Sequence, residues 1–181
     1  MQPIRGITLI TGIMAAGKST IAQRLAERLQ PKSIHLRGDA FRRMIVSGRE
    51  EMLPNPSEEA IKQLQLRYKT AAMVADQYYE AGFHVVMQDV ILGADLQTMV
   101  GLIQSRPLYV IVLSPSVAAV AEREQVRAKK GYGAWEIADL NHLLQTETPR
   151  LGLWLDTTNM TPDDTVNELL ARMHPEASVR M

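Results

Sequence analysis

Short apolar runs alternate with longer stretches of helical periodicity along the chain. Five of the runs have the length and composition of strands, and they cover residues 7–11, 33–36, 83–87, 108–113 and 151–155. The fourth is almost wholly apolar, which predicts a strand buried on both faces. After the first run, Ile21, Leu25 and Leu29 repeat at the spacing of one helical face. The alternation predicts an α/β fold with a five-stranded parallel sheet flanked by helices.

Start and stop signals predict the helices between these strands. They cover about residues 19–29, 40–46, 55–80, 94–104 and 114–129, and the last begins after residue 161. Asn55 would cap the long third helix, with Pro56 in its first turn and Glu58 three residues after the cap. Thr161 would cap the last helix, just before Pro162. Ligands of parallel sheets bind beyond the carboxyl ends of the strands, so the residues that follow each strand form the candidate site.

The first strand leads into GIMAAGKST, which matches G-x-x-x-x-G-K-[ST] at every fixed position. The glycines let the backbone approach an anion, and the loop N–H groups and the helix N-terminus then face phosphates. Lys18 would reach the β- and γ-phosphates, and Ser19 would offer its hydroxyl to Mg²⁺. The candidate nucleotide-binding residues here are Gly12, Ala15, Ala16, Gly17, Lys18, Ser19 and Thr20. The loop predicts a bound nucleoside triphosphate and leaves ATP and GTP as alternatives.

The second strand ends at RGDAFRRM, where Asp39, Arg42 and Arg43 share one side of a short predicted helix. Asp39 could accept the proton of a substrate hydroxyl as that oxygen attacks the γ-phosphorus. Arg42 could hold an anionic group of the substrate. The alternative is a helix-capping aspartate with a surface ion pair. Beside a phosphate loop, we predict that Asp39 is catalytic and that Asp39 and Arg42 bind the substrate.

The third strand ends at Asp89, in the stretch VVMQDVILG. A carboxylate at this place resembles the Walker B arrangement, in which it orients Mg²⁺ through water. We therefore predict a metal or substrate role for Asp89, against the alternative of a loop cap. Asp39 and Asp89 could exchange roles, so the residues alone do not decide which one is the base.

A basic segment, AEREQVRAKKGYGAW, follows the fourth strand. Arg123 and Arg127 are four residues apart on the predicted helix, and Lys129 and Lys130 come just before two glycines that suit a hinge. Residues 123–135 are therefore predicted to form a lid that closes over the triphosphate and brings positive charge to the transferred phosphoryl group. The alternative is a solvated, basic helix end. In the first interpretation, Arg127 is catalytic.

The amino-acid composition limits the kinds of partner and site that the chain could have. The 181 residues carry 20 basic and 20 acidic side chains and no cysteine, which suits one domain and excludes disulfides and thiolate metal sites. Zero net charge makes a nucleic-acid partner unfavourable. No run reaches the roughly 18 apolar residues of a membrane span, and no signal peptide is recognised, so we expect a cytoplasmic protein with a small-molecule partner. The oligomeric state stays open.

These motifs, together with the tail LDTTNMTPDDTVNEL, resemble in the same order the chloramphenicol-phosphotransferase-like P-loop kinases. The resemblance implies a single P-loop domain over residues 1–181 that uses ATP and Mg²⁺ to phosphorylate a hydroxyl of a small molecule, such as an antibiotic or a metabolite. It places Arg123 over the adenine, Arg127 at the phosphates, and the turn from Thr157 to Asn159 at the edge of the adenine.

Two other functions stay open at this point. The Asp-x-x-Arg spacing of DAFRR also resembles polynucleotide 5′-hydroxyl kinases and zeta-type toxins, which phosphorylate a nucleotide sugar. A nucleotide-binding switch or ATPase module without an acceptor is the third reading. Asp39 and the lid arginines favour transfer to a bound hydroxyl, because a switch usually needs a water-positioning residue and often an arginine from a partner.

Overall fold

A five-stranded parallel sheet between two layers of helices forms the fold, which is seen in a computed structural model that describes residues 5–128 and 130–180. The strand order is β2-β3-β1-β4-β5. The strands are β1 (Ile7–Thr11), β2 (Ser33–Arg37), β3 (His84–Gln88), β4 (Leu108–Leu113) and β5 (Leu153–Leu155). The predicted α/β class and the predicted five parallel strands are confirmed.

Seven helices are found in the described residues. They are α1 (Lys18–Arg28), α2 (Gly38–Arg43), α3 (Glu58–Glu80), α4 (Ala94–Leu102), α5 (Val117–Val126), α6 (Ile137–Glu147) and α7 (Pro162–Glu176). Helix α1 packs against α7, and α3 packs against α4. None of the helices in the described part of the chain is long and apolar enough to cross a membrane.

The core lies on both faces of the three central strands. Every residue of β1, β3 and β4 is buried, which confirms the prediction made for β4. Strand β2 lies at one edge of the sheet and is half-buried. Helix α1 buries Ile21 and Leu25, as its apolar spacing predicts. The rigid central strands thus fix the positions of the loops that follow them.

Three helix starts can be compared with their predicted caps. Thr161 caps α7 as predicted, since its Oγ1 accepts a hydrogen bond from the Asp164 N–H at 3.1 Å. The prediction for Asn55 is wrong, because Ser57 caps α3 and accepts from the Ala60 N–H at 3.0 Å. Likewise, α5 begins after a cap at Ser116 rather than at residue 114. In both cases a hydroxyl two residues further along makes the capping bond.

Helix α6 was not predicted. Its apolar residues Ile137, Leu140 and Leu144 follow the helical spacing, and Leu140 and Leu144 are buried. This helix begins just after residues 123–135, which the sequence predicts to form a lid. Strand β5 is also two residues shorter than predicted, because it begins at Leu153.

Candidate active site

The phosphate loop joins β1 to α1 and has the backbone that its motif requires. Gly12, Ala15 and Gly17 have φ angles of 145°, 62° and 96°, which lie in the region that favours glycine. A Cβ on Gly12 would lie 2.5 Å from the Leu113 carbonyl oxygen, so only glycine lets the loop pass the end of β4 this closely. Ser19 and Thr20 are exposed in the first turn of α1, where a phosphate would find helix N–H groups.

Lys18 is buried beneath this loop, with 8% of its surface exposed. Its Nζ donates a hydrogen bond to the Ile13 carbonyl oxygen at 2.7 Å. Burial lowers the pKa of Lys18 to about 7; Asp89 opposes this change, and Arg127 and Arg67 add to it. Lys18 is therefore within electrostatic reach of all three side chains. A polyphosphate would supply the negative charge that restores the protonated form.

Ser19 has the surroundings of a hard-cation ligand. Its Oγ accepts a hydrogen bond from Gln88 Nε2 at 3.2 Å, and Gln88 is the last residue of β3. Among residues 5–128 and 130–180, no group of three His, Asp or Glu side chains could hold a metal ion by itself. A Mg²⁺ ion that enters with a triphosphate needs few protein oxygens, since phosphate and water oxygens complete its shell. The residues present fit such an ion, and Ser19 Oγ would be its protein ligand.

Asp89 forms a buried ion pair that the sequence reasoning missed. Arg67 Nε donates to Asp89 Oδ2 at 2.6 Å, and Arg67 Nη2 donates to Oδ1. The two side chains are only 14% and 7% exposed. The Val90 N–H also donates to Oδ1, at 2.8 Å. Both carboxylate oxygens are thus engaged, so a contact between Asp89 and Mg²⁺ would pass through water or replace one of these bonds.

Arg67 lies in the middle of α3, on the face that carries Leu64 and Ala71. A charged residue on an apolar helical stripe is the signal that could have identified it, because such a residue needs a buried partner. Burial alone would lower the pKa of Arg67, but Asp89, Tyr68 and Asp39 together raise it above its usual value. The guanidinium thus stays charged between the two aspartates that the sequence singled out.

Gly38 brings the acidic residues together. A Cβ on Gly38 would lie 2.0 Å from Asp89 Oδ2, so the backbone at the start of α2 rests directly on the Asp89 carboxylate. Asp39 follows at once and is half-buried. As its spacing predicts, Asp39 pairs with Arg43 Nη2 at 2.6 Å and with Arg42 Nε at 3.3 Å. Arg42 also pairs with Glu51, so its charge is shared between two carboxylates.

Arg123 connects the last turn of α5 to the turn after β5. Its Nη2 donates to the Thr157 carbonyl oxygen at 2.6 Å, and its Nη1 donates to the Ala16 carbonyl oxygen at 3.5 Å. The structure thus brings together three of the residues predicted to bind the nucleotide. Thr157 is buried, and no described residue gives its Oγ1 a hydrogen-bond partner.

Arg127 does not share a helical face with Arg123, so that prediction is wrong. Helix α5 ends at Val126, and Arg127 has extended backbone angles. Its Nη1 pairs with Glu124 Oε2 at 3.1 Å. Arg127 nevertheless lies close enough to Lys18 to affect the pKa of that lysine.

The predicted lid segment packs on the phosphate loop. The N–H groups of Gly131 and Tyr132 donate to Glu124 Oε1 at 2.5 and 3.2 Å, and the Tyr132 hydroxyl donates to the Met14 carbonyl oxygen at 2.9 Å. Burial would raise the pKa of Glu124, but these N–H groups and Arg127 hold it below its usual value. Lys129, which the sequence assigned to the lid, lies outside the described residues.

The same segment also reaches the loop before α3. Trp135 Nε1 donates to the Met52 carbonyl oxygen at 2.9 Å. Tyr132 and Trp135, only three positions apart, therefore contact the phosphate loop and the region beside Arg42, respectively. Such a bridge can make the two sides of the site move together.

Known proteins share this sequence pattern and this fold. A family model described as "AAA domain", AAA_33, matches residues 7–148. A Pyrococcus furiosus protein named "Putative adenylate kinase" is 27% identical over 169 residues, which are 91% of this chain and 82% of that protein.

Solved structures with the same fold include two enzymes. A sugar kinase from Janibacter sp. HTCC2649 superposes with a TM-score of 0.67 at 17% identity, over 98% of this chain and 100% of that one. The APS kinase CysC of Mycobacterium tuberculosis, in complex with AMPPNP and APS, gives 0.65 at 17% identity, over 93% and 98%. The family model spans well over half of the chain and begins at the strand that leads into the phosphate loop. The protein therefore belongs to the AAA_33 family of P-loop, nucleotide-binding AAA domains.

Proposed function

We propose that this protein is a kinase that transfers the γ-phosphate of Mg-ATP to a hydroxyl group of a small molecule. The observation that carries the proposal is that Asp39 follows Gly38, which packs against Asp89, and that Asp89 is within electrostatic reach of Lys18 in the phosphate loop. A carboxylate there would accept the proton of an acceptor hydroxyl, as the aspartate of protein kinases does, whereas the GTPase switches orient the attacking water with a glutamine. The family and the kinases of the same fold support this reading.

The nucleotide would lie across the loop from Gly12 to Thr20. The Arg123 guanidinium, held by the Thr157 and Ala16 carbonyl oxygens, offers a fixed face for the adenine. The resemblance noted in the sequence suggests ATP as the donor, with Thr157 at the edge of the base. Mg²⁺, held by Ser19, would neutralise charge on the β- and γ-phosphates.

The chemical step assigns one task to each side chain. The acceptor oxygen forms a bond to the γ-phosphorus while the bond to the bridging oxygen breaks, and ADP leaves. Asp39 takes the hydroxyl proton, and Lys18 and Arg127 stabilise the negative charge on the transferred group. Both aspartates pair with arginine, but Asp89 is the poorer base because its side chain is only 7% exposed, against 31% for Asp39, and also accepts from the Val90 N–H. Its task is to fix Arg67 and Gly38, and to orient the water around the metal.

A nucleotide acceptor is the second candidate, favoured by the relative named after adenylate kinase. It would use the same loop and metal, but the attacking phosphate oxygen of a nucleoside monophosphate already lacks a proton and would need no base. The two candidates are separated by the acceptor, which a panel of hydroxyl compounds and nucleoside monophosphates can identify.

Asp39→Asn tests the proposal. With an acceptor that the wild-type protein phosphorylates, we expect this variant to lose at least about 100-fold in transfer rate, the lower end for a general base, while it still binds ATP. Asp163→Asn is the matched control, because that aspartate is exposed and pairs only with Arg24 among the described residues. Transfer would be followed with radiolabelled ATP and binding by calorimetry. Near-wild-type transfer by Asp39→Asn would show that Asp39 is not the base. If no acceptor increases the rate of ADP formation, the proposed kinase function is refuted.

A further inference from the structure

A cavity of about 250 Å³ lies between α2 and α3, next to Asp39. Apolar side chains form most of its wall: Phe41, Met44, Ile45, Met52, Leu64 and Leu66. Arg42 and Arg67 also line it, and they are the residues that bind Asp39 and Asp89. These two arginines thus connect the cavity wall to the two aspartates of the site. Its volume is near the lower limit of small-molecule pockets, about 300 Å³, which fits a compact ligand.

The two cations in the wall are already neutralised. The Arg67 side chain is 14% exposed and donates to Asp89 through Nε and Nη2. Arg42 pairs with both Asp39 and Glu51. An anionic ligand would lie beside the carboxylates that already pair with these guanidinium groups and would be repelled by them, and displacing Asp89 from Arg67 would leave a buried charge unpaired. Recognition of a phosphate or carboxylate group is therefore unfavourable here.

Apolar side chains, by contrast, are exposed at this cavity. Met44 and Leu66 are 69% and 59% exposed, and Met52 is 37% exposed. An apolar ligand body would cover these side chains without disturbing any ion pair. Burial of apolar surface would then supply the binding free energy, and the hydroxyl would find its polar partner at Asp39.

We propose that the acceptor is a small, uncharged compound with an apolar body and a hydroxyl group, seated in this cavity with the hydroxyl toward Asp39. This inference rests on the proposed kinase function. The inferred acceptor differs from those of enzymes whose acceptor carries a charged group. A nucleoside monophosphate or a sugar acid has an anionic group, which the neutralised arginines would not bind well.

Two probes of similar shape test the charge. The uncharged probe is 4-isopropylbenzyl alcohol, and the charged one is 4-(hydroxymethyl)benzoate, in which a carboxylate replaces the branched alkyl group. AMP is the nucleotide probe. Phosphate transfer from labelled ATP would be measured for each, and binding would be measured separately by ligand-observed NMR with Mg-ADP present. We expect the alcohol to have at least a tenfold lower KM and a tenfold lower Kd than the carboxylate, and AMP to be no acceptor.

Two variants of α3 test whether the acceptor binds in this cavity. Leu66→Ser changes the cavity wall, and Met73→Ser changes a residue of the same helix outside the cavity; the two side chains are 59% and 60% exposed. We expect Leu66→Ser to raise the KM and Kd of the alcohol about fivefold and Met73→Ser to leave both unchanged. Similar melting temperatures would show that both variants are folded.

The outcomes separate this inference from the proposed function. Preferential transfer to AMP or to the carboxylate overturns the inference and leaves the kinase standing. Preferential binding of the alcohol, lost in Leu66→Ser but without transfer to any probe, supports the cavity assignment and counts against the kinase. Equal binding of the three probes, or no binding of the alcohol, overturns the inference.

Discussion

Replacing Arg67 by methionine tests whether the Arg67–Asp89 pair holds the site together. The substitution keeps an unbranched side chain of similar length and removes the guanidinium, so Asp89 is left as an unpaired carboxylate that is 7% exposed. Breaking a buried ion pair on one side costs about 3–5 kcal/mol. This is a large part of the roughly 5–15 kcal/mol by which a domain is stable.

The expected shift is large enough to measure in two ways. Urea unfolding, followed by circular dichroism, should give a lower midpoint with an unchanged slope, since the loss lies in stability and not in the surface exposed. In a thermal scan, 3–5 kcal/mol corresponds to a fall of about 6–20 °C for a chain of this size.

Two further variants decide whether the cause is the uncompensated charge. Arg67→Met/Asp89→Ala also removes the carboxylate, so we expect it to recover at least half of the lost stability. Arg24→Met breaks an ion pair whose side chains are 43% and 73% exposed, so it should cost less than about 1 kcal/mol. The reasoning is refuted if Arg67→Met and Arg24→Met have similar stability, or if the double variant is less stable than Arg67→Met.

Two more predictions concern residues of the same site. The pKa of Lys18 is lowered from 10.5 to about 7 in the folded chain, so the unfolded chain binds more protons between these pH values. Without nucleotide, the wild-type protein should therefore gain stability relative to Lys18→Met as the pH rises from 7 to 10. Urea midpoints of both proteins at three pH values measure this gain, and an equal pH dependence of the two proteins would contradict it. Gly38→Ala would place a Cβ 2.0 Å from Asp89 Oδ2, so we expect about 1–3 kcal/mol of destabilisation and loss of transfer. Gly101→Ala, which meets nothing within 4 Å, should be neutral or slightly stabilising in thermal scans, and equal losses in both glycine variants would refute the contact.

The fold could be predicted from the sequence because its main signals are local. The short apolar runs identify all five strands, and the phosphate loop identifies the first β-α unit by eight contiguous residues and their flanks. Residues after strand ends converge in any parallel sheet, so Asp39 and Asp89 could be named without knowledge of the strand order. The strand order itself was not predicted, because it depends on which helices cross which face.

Arg67 was missed for a different reason. Its partner, Asp89, lies 22 residues away and on another element, and no local spacing connects a helix interior to a strand end. The acceptor cavity shares this property, since α2, α3 and the loop between them form it only after packing. Local errors arose where two caps competed, as at Asn55 and Ser57, where both residue types can bond to a helix N–H.

The strand order explains how donor and acceptor are kept apart. Strand β1 lies between β3 and β4, so the phosphate loop has Asp89 on one side and helix α5, which carries Arg123, on the other. The proposed adenine site, at Arg123 and Thr157, belongs to the half formed by β4 and β5, whereas Asp39 and the acceptor cavity belong to the half formed by β2 and β3. In the proposed reaction, the γ-phosphate passes from the nucleotide side of the site to the acceptor side near Lys18. This buried cation is within electrostatic reach of Arg127 on the nucleotide side and of Asp89 and Arg67 on the acceptor side. A Lys18 with less than full positive charge in the absence of phosphate suits this place, because the charge becomes complete when a polyphosphate arrives.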